Sequence, residues 1–144
     1  CYADAWRAAH GELEGYDEQM YLAAARNHHD DCPGAVLKIL DGDEPVGLVD
    51  MDTRRGVERG EGWISLIWLR EDYRGKGYGI QLLARAIKTY TNMGRRGLRL
   101  HAAAENESAL HFYESCGFER LAEERRGNGT LLLMGCELGE KAYV

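Results

Sequence analysis

The chain predicts an α/β fold: a mixed, mostly antiparallel sheet with flanking helices and a parallel strand–helix–strand crossover. Three observations carry this. Six runs have strand character against four with helical periodicity. Two turn sequences, Asp41-Gly-Asp-Glu44 and Gly127-Asn-Gly129, each separate a pair of strand-like runs, as in antiparallel hairpins. Between them, an apolar run at 62–69, a helical run at 80–93 and a second apolar run at 98–103 follow in the order of a right-handed crossover. At 144 residues the chain reads as one domain, 1–144, with room for one substantial core.

The elements follow in order. Residues 4–10 read as a short helix with Ala5, Trp6 and Ala9 on one side, closed by Gly11. A second helix starts near Asp17, a suitable N-cap, with Tyr16 and Tyr21 spaced as a hydrophobic staple, and runs to about Asn27. His28-His29-Asp30-Asp31, with Cys32 next, reads as a polar loop, because consecutive residues rarely converge on one ion; no metal is expected. Pro33-Gly34 breaks the chain before the first hairpin, 35–40 with 45–51. Residues 53–60, with three arginines and two glycines, read as an exposed loop. In the helix at 80–93, apolar side chains fall at 80, 83, 87 and 90, with a second row at 82, 86 and 93. Gly94 ends that helix. Asn106 caps a further helix reaching Ser115, Gly117 turns the chain, and 118–125 pairs with 130–138.

Composition narrows the class. Hydrophobic residues at 44% with 29% charged are ordinary for a soluble globular domain, and no apolar run nears the roughly 20 residues that span a bilayer. The start, Cys1-Tyr-Ala-Asp, is neither a signal peptide nor an initiator, which suits either a domain excised from a longer chain with a fused neighbour or a numbering that begins after earlier residues. Four cysteines, at 1, 32, 116 and 136, lack Cys-x-x-Cys spacing and read as free thiols in a reducing cytoplasm. Residues 1–61 hold 14 acidic and 6 basic side chains, a net of −8, whereas residues 62–144 hold 10 and 12, a net of +2. The second half suits a polyanionic ligand; the acidic half suits a cationic one and argues against nucleic acid.

The most informative stretch is Arg74-Gly-Lys-Gly-Tyr-Gly79, between the apolar run and the helix that follows it. Glycines on alternate positions let the backbone turn sharply and leave its N–H groups uncovered. At a helix N-terminus those groups and the dipole make an anion site suited to a diphosphate, and Arg74 and Lys76 add positive charge. The pattern is neither Gly-x-Gly-x-x-Gly, since Ile80 stands where the last glycine would, nor a Walker loop.

Downstream stands Asn106-Glu-Ser-Ala-Leu-His-Phe-Tyr113-Glu-Ser-Cys-Gly-Phe118. Arg74, Gly77 and Gly79, taken with Asn106, Ala109, Tyr113, Gly117 and Phe118, resemble the GNAT superfamily of acyl-CoA-dependent N-acetyltransferases. The resemblance is sharp over 62–118 and carries almost no motif over the first 30 residues. It implies a GNAT-like sheet splayed at its centre, with acetyl-CoA as co-substrate. It implies that amides of Gly75, Lys76, Gly77, Tyr78, Gly79 and Ile80 bind the pyrophosphate. Backbone groups of Ile67, Trp68 and Leu69 would pair with the pantetheine arm, and the side chain of Asn106 would hold that arm while also capping its helix.

Acetyl transfer needs a held acyl group, an amine freed of its proton, and a stabilised leaving thiolate. By the resemblance Tyr113 is the general acid. His101 is a candidate base, with Glu61 the second candidate and Ser65 able only to orient a water; a water relay would need neither. His111 is expected to be exposed, and Trp6, Tyr16 and Trp68 either line an acceptor pocket or pack in the core. The expectation is a cytoplasmic N-acetyltransferase acting by direct transfer in a ternary complex on a primary amine. The acceptor would be a small molecule or peptide, cationic, with no nucleic acid and no membrane involved; a homodimer is compatible. Two other readings stand: a non-catalytic acyl-CoA sensor or scaffold of the same fold, and an unrelated phosphate-binding domain.

Overall fold

The computed structural model describes residues 18–127 and 129–139, in which six strands form one sheet flanked by three α-helices. Helix α1 (Glu18–Asp31) leads into β1 (Val36–Asp41), β2 (Glu44–Met51) and β3 (Glu61–Leu69). Helix α2 (Tyr78–Asn92) and β4 (Gly97–Ala103) complete the crossover; α3 (Glu107–Ser115), β5 (Glu119–Arg126) and β6 (Gly129–Glu137) follow. The order across the sheet is β1-β2-β3-β4-β6-β5, with only β3 and β4 parallel. The α/β class, both hairpins and the crossover are therefore present. The helix expected at 4–10 and the Tyr16–Tyr21 staple lie outside the described residues.

Two expectations are corrected. His28-His29-Asp30-Asp31 is the last turn of α1, not a loop. Two features hold it in helix: imidazoles at a helix C-terminus complement the dipole, and a tertiary contact anchors the turn. His28 Nδ1 lies 2.6 Å from Oδ1 of the buried Asp50, and Asp31 pairs with Arg54 at 2.9 Å. The segment 53–60 is also more ordered than a loop, since Thr53 and Gly56 are buried and Val57–Arg59 make a 3₁₀ turn. No described helix is long and apolar enough to cross a membrane.

The core forms where alternating strand residues meet the apolar stripe of α2. Val49, Met51, Ile64, Leu98, Leu100 and Met134 pack with Leu82, Leu83, Ala86 and Tyr90, and with Leu110 of α3 and Phe118 just beyond it. The opposite face carries a smaller cluster, Leu48 and Trp68 with Val36 and Leu66. The ends of the two helical rows, Ile80 and Met93, overhang the sheet and stay 58% and 43% exposed.

Tyr90 is the largest fully buried side chain. Its hydroxyl donates to the Trp63 carbonyl at 2.6 Å, and its ring lies over Gly62, where a Cβ would collide with the ring carbons. Gly62→Ala is accordingly expected to destabilise the fold by about 1–3 kcal/mol through overpacking. Chemical denaturation would show this as a lower midpoint at unchanged slope.

The position of the site follows from one irregularity in β3. Asp50 faces Leu66 and Met51 faces Ile64, so Ser65 is an extra residue on β3, a bulge. Pairing of β3 with β4 runs from Glu61 opposite Gly97 to Ile64 opposite Leu100 and stops there. Beyond it β3 stays with β2 as far as Leu69, while β4 stays with β6 as far as Ala103. The two halves of the sheet diverge, and a cavity opens between them.

Candidate active site

The cavity has a volume of about 500 Å³. Its walls are the stretches where β3 and β4 no longer pair with each other, Ser65–Leu69 of β3 and His101–Ala103 of β4. One end is closed by the glycine loop, the side by Asn106, Phe112 and Tyr113. Residues from 64 to 113 thus converge because a bulge ends one strand pairing.

The loop has the geometry of an anion cradle. Gly75 and Gly77 take φ of +75° and +88°, conformations that side chains disfavour, and Gly77 caps α2. Among the described residues, no backbone acceptor meets the N–H groups of residues 75–80; the first such bond runs from Gln81 to the Gly77 carbonyl at 3.2 Å. These are the orphan donors of a helix start. Arg74 Nε donates to the Leu69 carbonyl at 2.9 Å, tying the loop to the end of β3. At Gly79 a Cβ would stand 3.2 Å from Cζ of Phe112, so the absence of a side chain lets α3 close over the loop. Phe112, unremarked in the sequence, is therefore part of the wall; its place beside Tyr113 was the available signal.

Asn106 accepts from the Ala109 N–H at 3.2 Å and lines the cavity as well, so capping and ligand contact are open to one side chain. Tyr113 also lines it and packs between Phe112 and Phe118 at ring distances of 5.5 and 5.8 Å. Burial, with a contribution from Cys116, pushes its phenol up to about 12. Among the described residues nothing hydrogen-bonds its hydroxyl.

His101 lies on the opposite wall, edge-on to Trp63 at 4.9 Å. Its pKa is held below the ordinary histidine value, chiefly by burial; Glu124 opposes the shift, and Arg55 and Arg126 add to it. The structure does not bring Glu61 to this place. Glu61 opens β3 opposite Gly97, outside the cavity lining, with its carboxylate held by Arg59 at 2.8 Å and by Arg99. Ile67, Trp68, Leu69, Arg74, Gly75, Gly77, Gly79 and Ile80 line the cavity, whereas the side chains of Lys76 and Tyr78 do not. Tyr78 stacks instead near Tyr73, at 5.8 Å. His111 is exposed. Trp6 and Tyr16 fall outside the described residues. Among the described residues no group of three or more His, Cys, Asp or Glu is arranged to hold a metal ion.

A sheet split beside a glycine loop that opens a helix gives a cleft with an anion site at one end. A family model, the acetyltransferase (GNAT) family, matches residues 2–118, and the chain belongs to that family. It is 37% identical over 79 residues to an uncharacterized N-acetyltransferase of Methanocaldococcus jannaschii, covering 53% of this chain and 35% of that protein. It is 32% identical over 83 residues to N-alpha-acetyltransferase 30 of Schizosaccharomyces pombe, covering 56% and 55%. Spermidine N(1)-acetyltransferase of Vibrio cholerae matches at 32% over 74 residues, covering 51% and 42%. The matched stretches span between about a third and about half the length of these curated relatives. In solved structures the fold is similar to that of Ard1 from Thermoplasma volcanium, with a TM-score of 0.73 at 18% identity over 96% of this chain and 94% of the other. A NatC complex bound to Gag peptide and CoA gives 0.70 at 22%, over 95% and 89%. At these identities the likeness is one of fold.

Proposed function

We propose that the protein transfers an acetyl group from acetyl-CoA to a primary amine, and that it does so directly in a ternary complex. The observation that carries this is the junction of two features in one cavity. Six unpaired N–H groups stand at one end, fit for a diphosphate, and a buried phenol and an imidazole face the cleft beyond them. When bound, acetyl-CoA supplies an activated thioester, and the edge of β3 that β4 leaves beyond Ile64, running through Ile67 and Trp68, suits an amide-bearing arm. Asn106 supports the same arm from α3.

Each proton then has a place to go. His101, neutral at physiological pH because burial lowers its pKa, takes the ammonium proton directly or through a water. The amine nitrogen bonds to the acyl carbon as the carbon–sulfur bond breaks, and the Tyr113 hydroxyl gives its proton to the sulfur; the nitrogen's second proton then passes through water to the tyrosinate, which restores the phenol. Intersecting initial-velocity lines would test direct transfer against an acyl-enzyme route. Cys32, Cys116 and Cys136 are free thiols, in keeping with a cytoplasmic setting. Release of free thiol from acetyl-CoA across an amine panel tests the activity itself. Binding without release would instead favour an acyl-CoA sensor.

The acceptor is proposed to be cationic. Support comes from the net charge of −8 over residues 1–61 and from relatives named for spermidine and for protein α-amines. Polyamines and basic peptides are expected to give higher kcat/KM than acidic ones, with the margin shrinking as ionic strength exceeds about 0.15 M. A best substrate of net negative charge would contradict this.

A further inference from the structure

We propose that Glu124, on the outermost strand, is a positioning residue for His101: it orients the imidazole and raises its basicity toward the acceptor's proton. This rests on the reading of His101 as the base. The pairing lies far apart in sequence and is made by register. His101 stands opposite Leu133 of β6, which faces Ala122 of β5, and Glu124 follows two residues on, opposite Leu131. That places Glu124 Oε2 3.5 Å from His101 Nε2.

The surroundings make the pair more than a chance surface contact. His101 is only 16% exposed, and the rest of its setting opposes protonation. Trp63 from β3 packs edge-on against it, and Arg55, from the segment after β2, lies over the Trp63 ring at 3.4 Å. Arg126 from β5 adds a second positive charge and holds the same Glu124 oxygen at 3.0 Å. Of the charged groups acting on the imidazole, Arg55 and Arg126 favour its neutral form and Glu124 alone favours the charged one. A base in such a pocket needs a carboxylate to remain useful near neutral pH. The carboxylate charge on the Nε2 side favours the tautomer protonated there, which leaves Nδ1 as the nitrogen that accepts a proton. Every residue of β5 is exposed, so the Glu124 side chain contributes nothing to the core; its contacts are with Arg126 and with His101.

Two substitutions on the exposed strand should move His101 in opposite directions. Glu124→Gln removes the one favourable charge, so the His101 pKa read from its ring-proton NMR titration should fall by roughly half a unit. Arg126→Gln removes an opposing charge and a competitor for the carboxylate, so the pKa should rise. In the acetyl-transfer assay the acidic limb of kcat/KM should move the same way, to lower pH in Glu124→Gln and to higher pH in Arg126→Gln. The plateau in Glu124→Gln should drop by about fivefold, as for a less basic catalyst. A His101 titration unchanged in Glu124→Gln, or an acidic limb that stays while the titration moves, overturns the proposal. His101→Ala separates the two claims: an acidic limb that survives it refutes His101 as base, whatever Glu124 does to the titration. Absence of thiol release in the wild-type protein refutes the enzymatic reading itself.

Discussion

Tyr113→Phe is expected to lower kcat by about 10²-fold while leaving acetyl-CoA affinity nearly unchanged. The substitution removes one oxygen and keeps the ring between Phe112 and Phe118, where it packs at 5.5 and 5.8 Å. The hydroxyl meets no partner among the described residues, so its loss leaves no orphaned polar group behind. The melting temperature should therefore hold. A phenol raised to about 12 stays protonated throughout any ordinary assay range and is always ready to donate. Full proton transfer to a thiolate of ordinary pKa near 8.5 would be uphill, at about 1.4 kcal/mol per unit. Two effects reduce that gap. The apolar burial that raises the phenol also raises a thiol leaving into the same cleft, as burial does for Cys136. A hydrogen bond donated to the developing charge also lowers the barrier before the proton has moved. An interaction of this kind exists only in the transition state, so kcat and kcat/KM should fall together. A stable variant with near-native turnover, chemistry being rate-limiting, would end the assignment.

What the sequence made legible and what it hid divide along contact distance. The hairpins, the Gly94 stop and the Asn106 cap are written in four or five adjacent residues, and each stands where turn and cap chemistry places it. The glycine loop was legible for the same reason. The split in the sheet was expected only through resemblance to a family, because its cause is a single extra residue, Ser65, in an otherwise regular strand. Nothing in Trp63-Ile-Ser-Leu-Ile marks which residue will slip; the register against β2 decides it.

The helical end of α1 shows the same limit. By composition His28-His29-Asp30-Asp31 is loop-like, and local propensity would end the helix there. The partner that holds it, Asp50, lies 22 residues away on β2. Glu61 failed to reach the cavity for a related reason. At the start of β3 it sits in the paired part of the β3–β4 ladder, before the split, and arginines at 59 and 99 claim its carboxylate. Glu124 went unnoticed because β5 reads as six charged residues in eight, an exposed edge. Only the pairing of three strands sets one of those charges beside a half-buried histidine.

Gly77→Val is expected to abolish the rise in melting temperature that acetyl-CoA gives the wild-type protein. At a ligand concentration of 100 Kd that stabilisation is about 2.7 kcal/mol, which for a domain of this size is a rise of roughly 5–10 °C. Two effects act at Gly77. Its φ of +88° is one that a β-branched side chain resists, so the loop would shift away from the conformation that presents the N–H groups of residues 75–80. Gly77 also lines the cavity, and a Cβ on it would meet no protein atom within 4 Å, so it would add bulk where a phosphate must come close to the amides. Backbone strain by itself would lower stability without touching the ligand, and a second glycine isolates that part. Gly94, just past the other end of α2, has φ +79° and equally open surroundings, yet lies outside the cavity lining. Gly94→Val should lower the melting temperature of the free protein by a comparable amount and keep the full acetyl-CoA increment. A folded Gly77→Val protein that keeps the increment as well would remove the loop from the cofactor site.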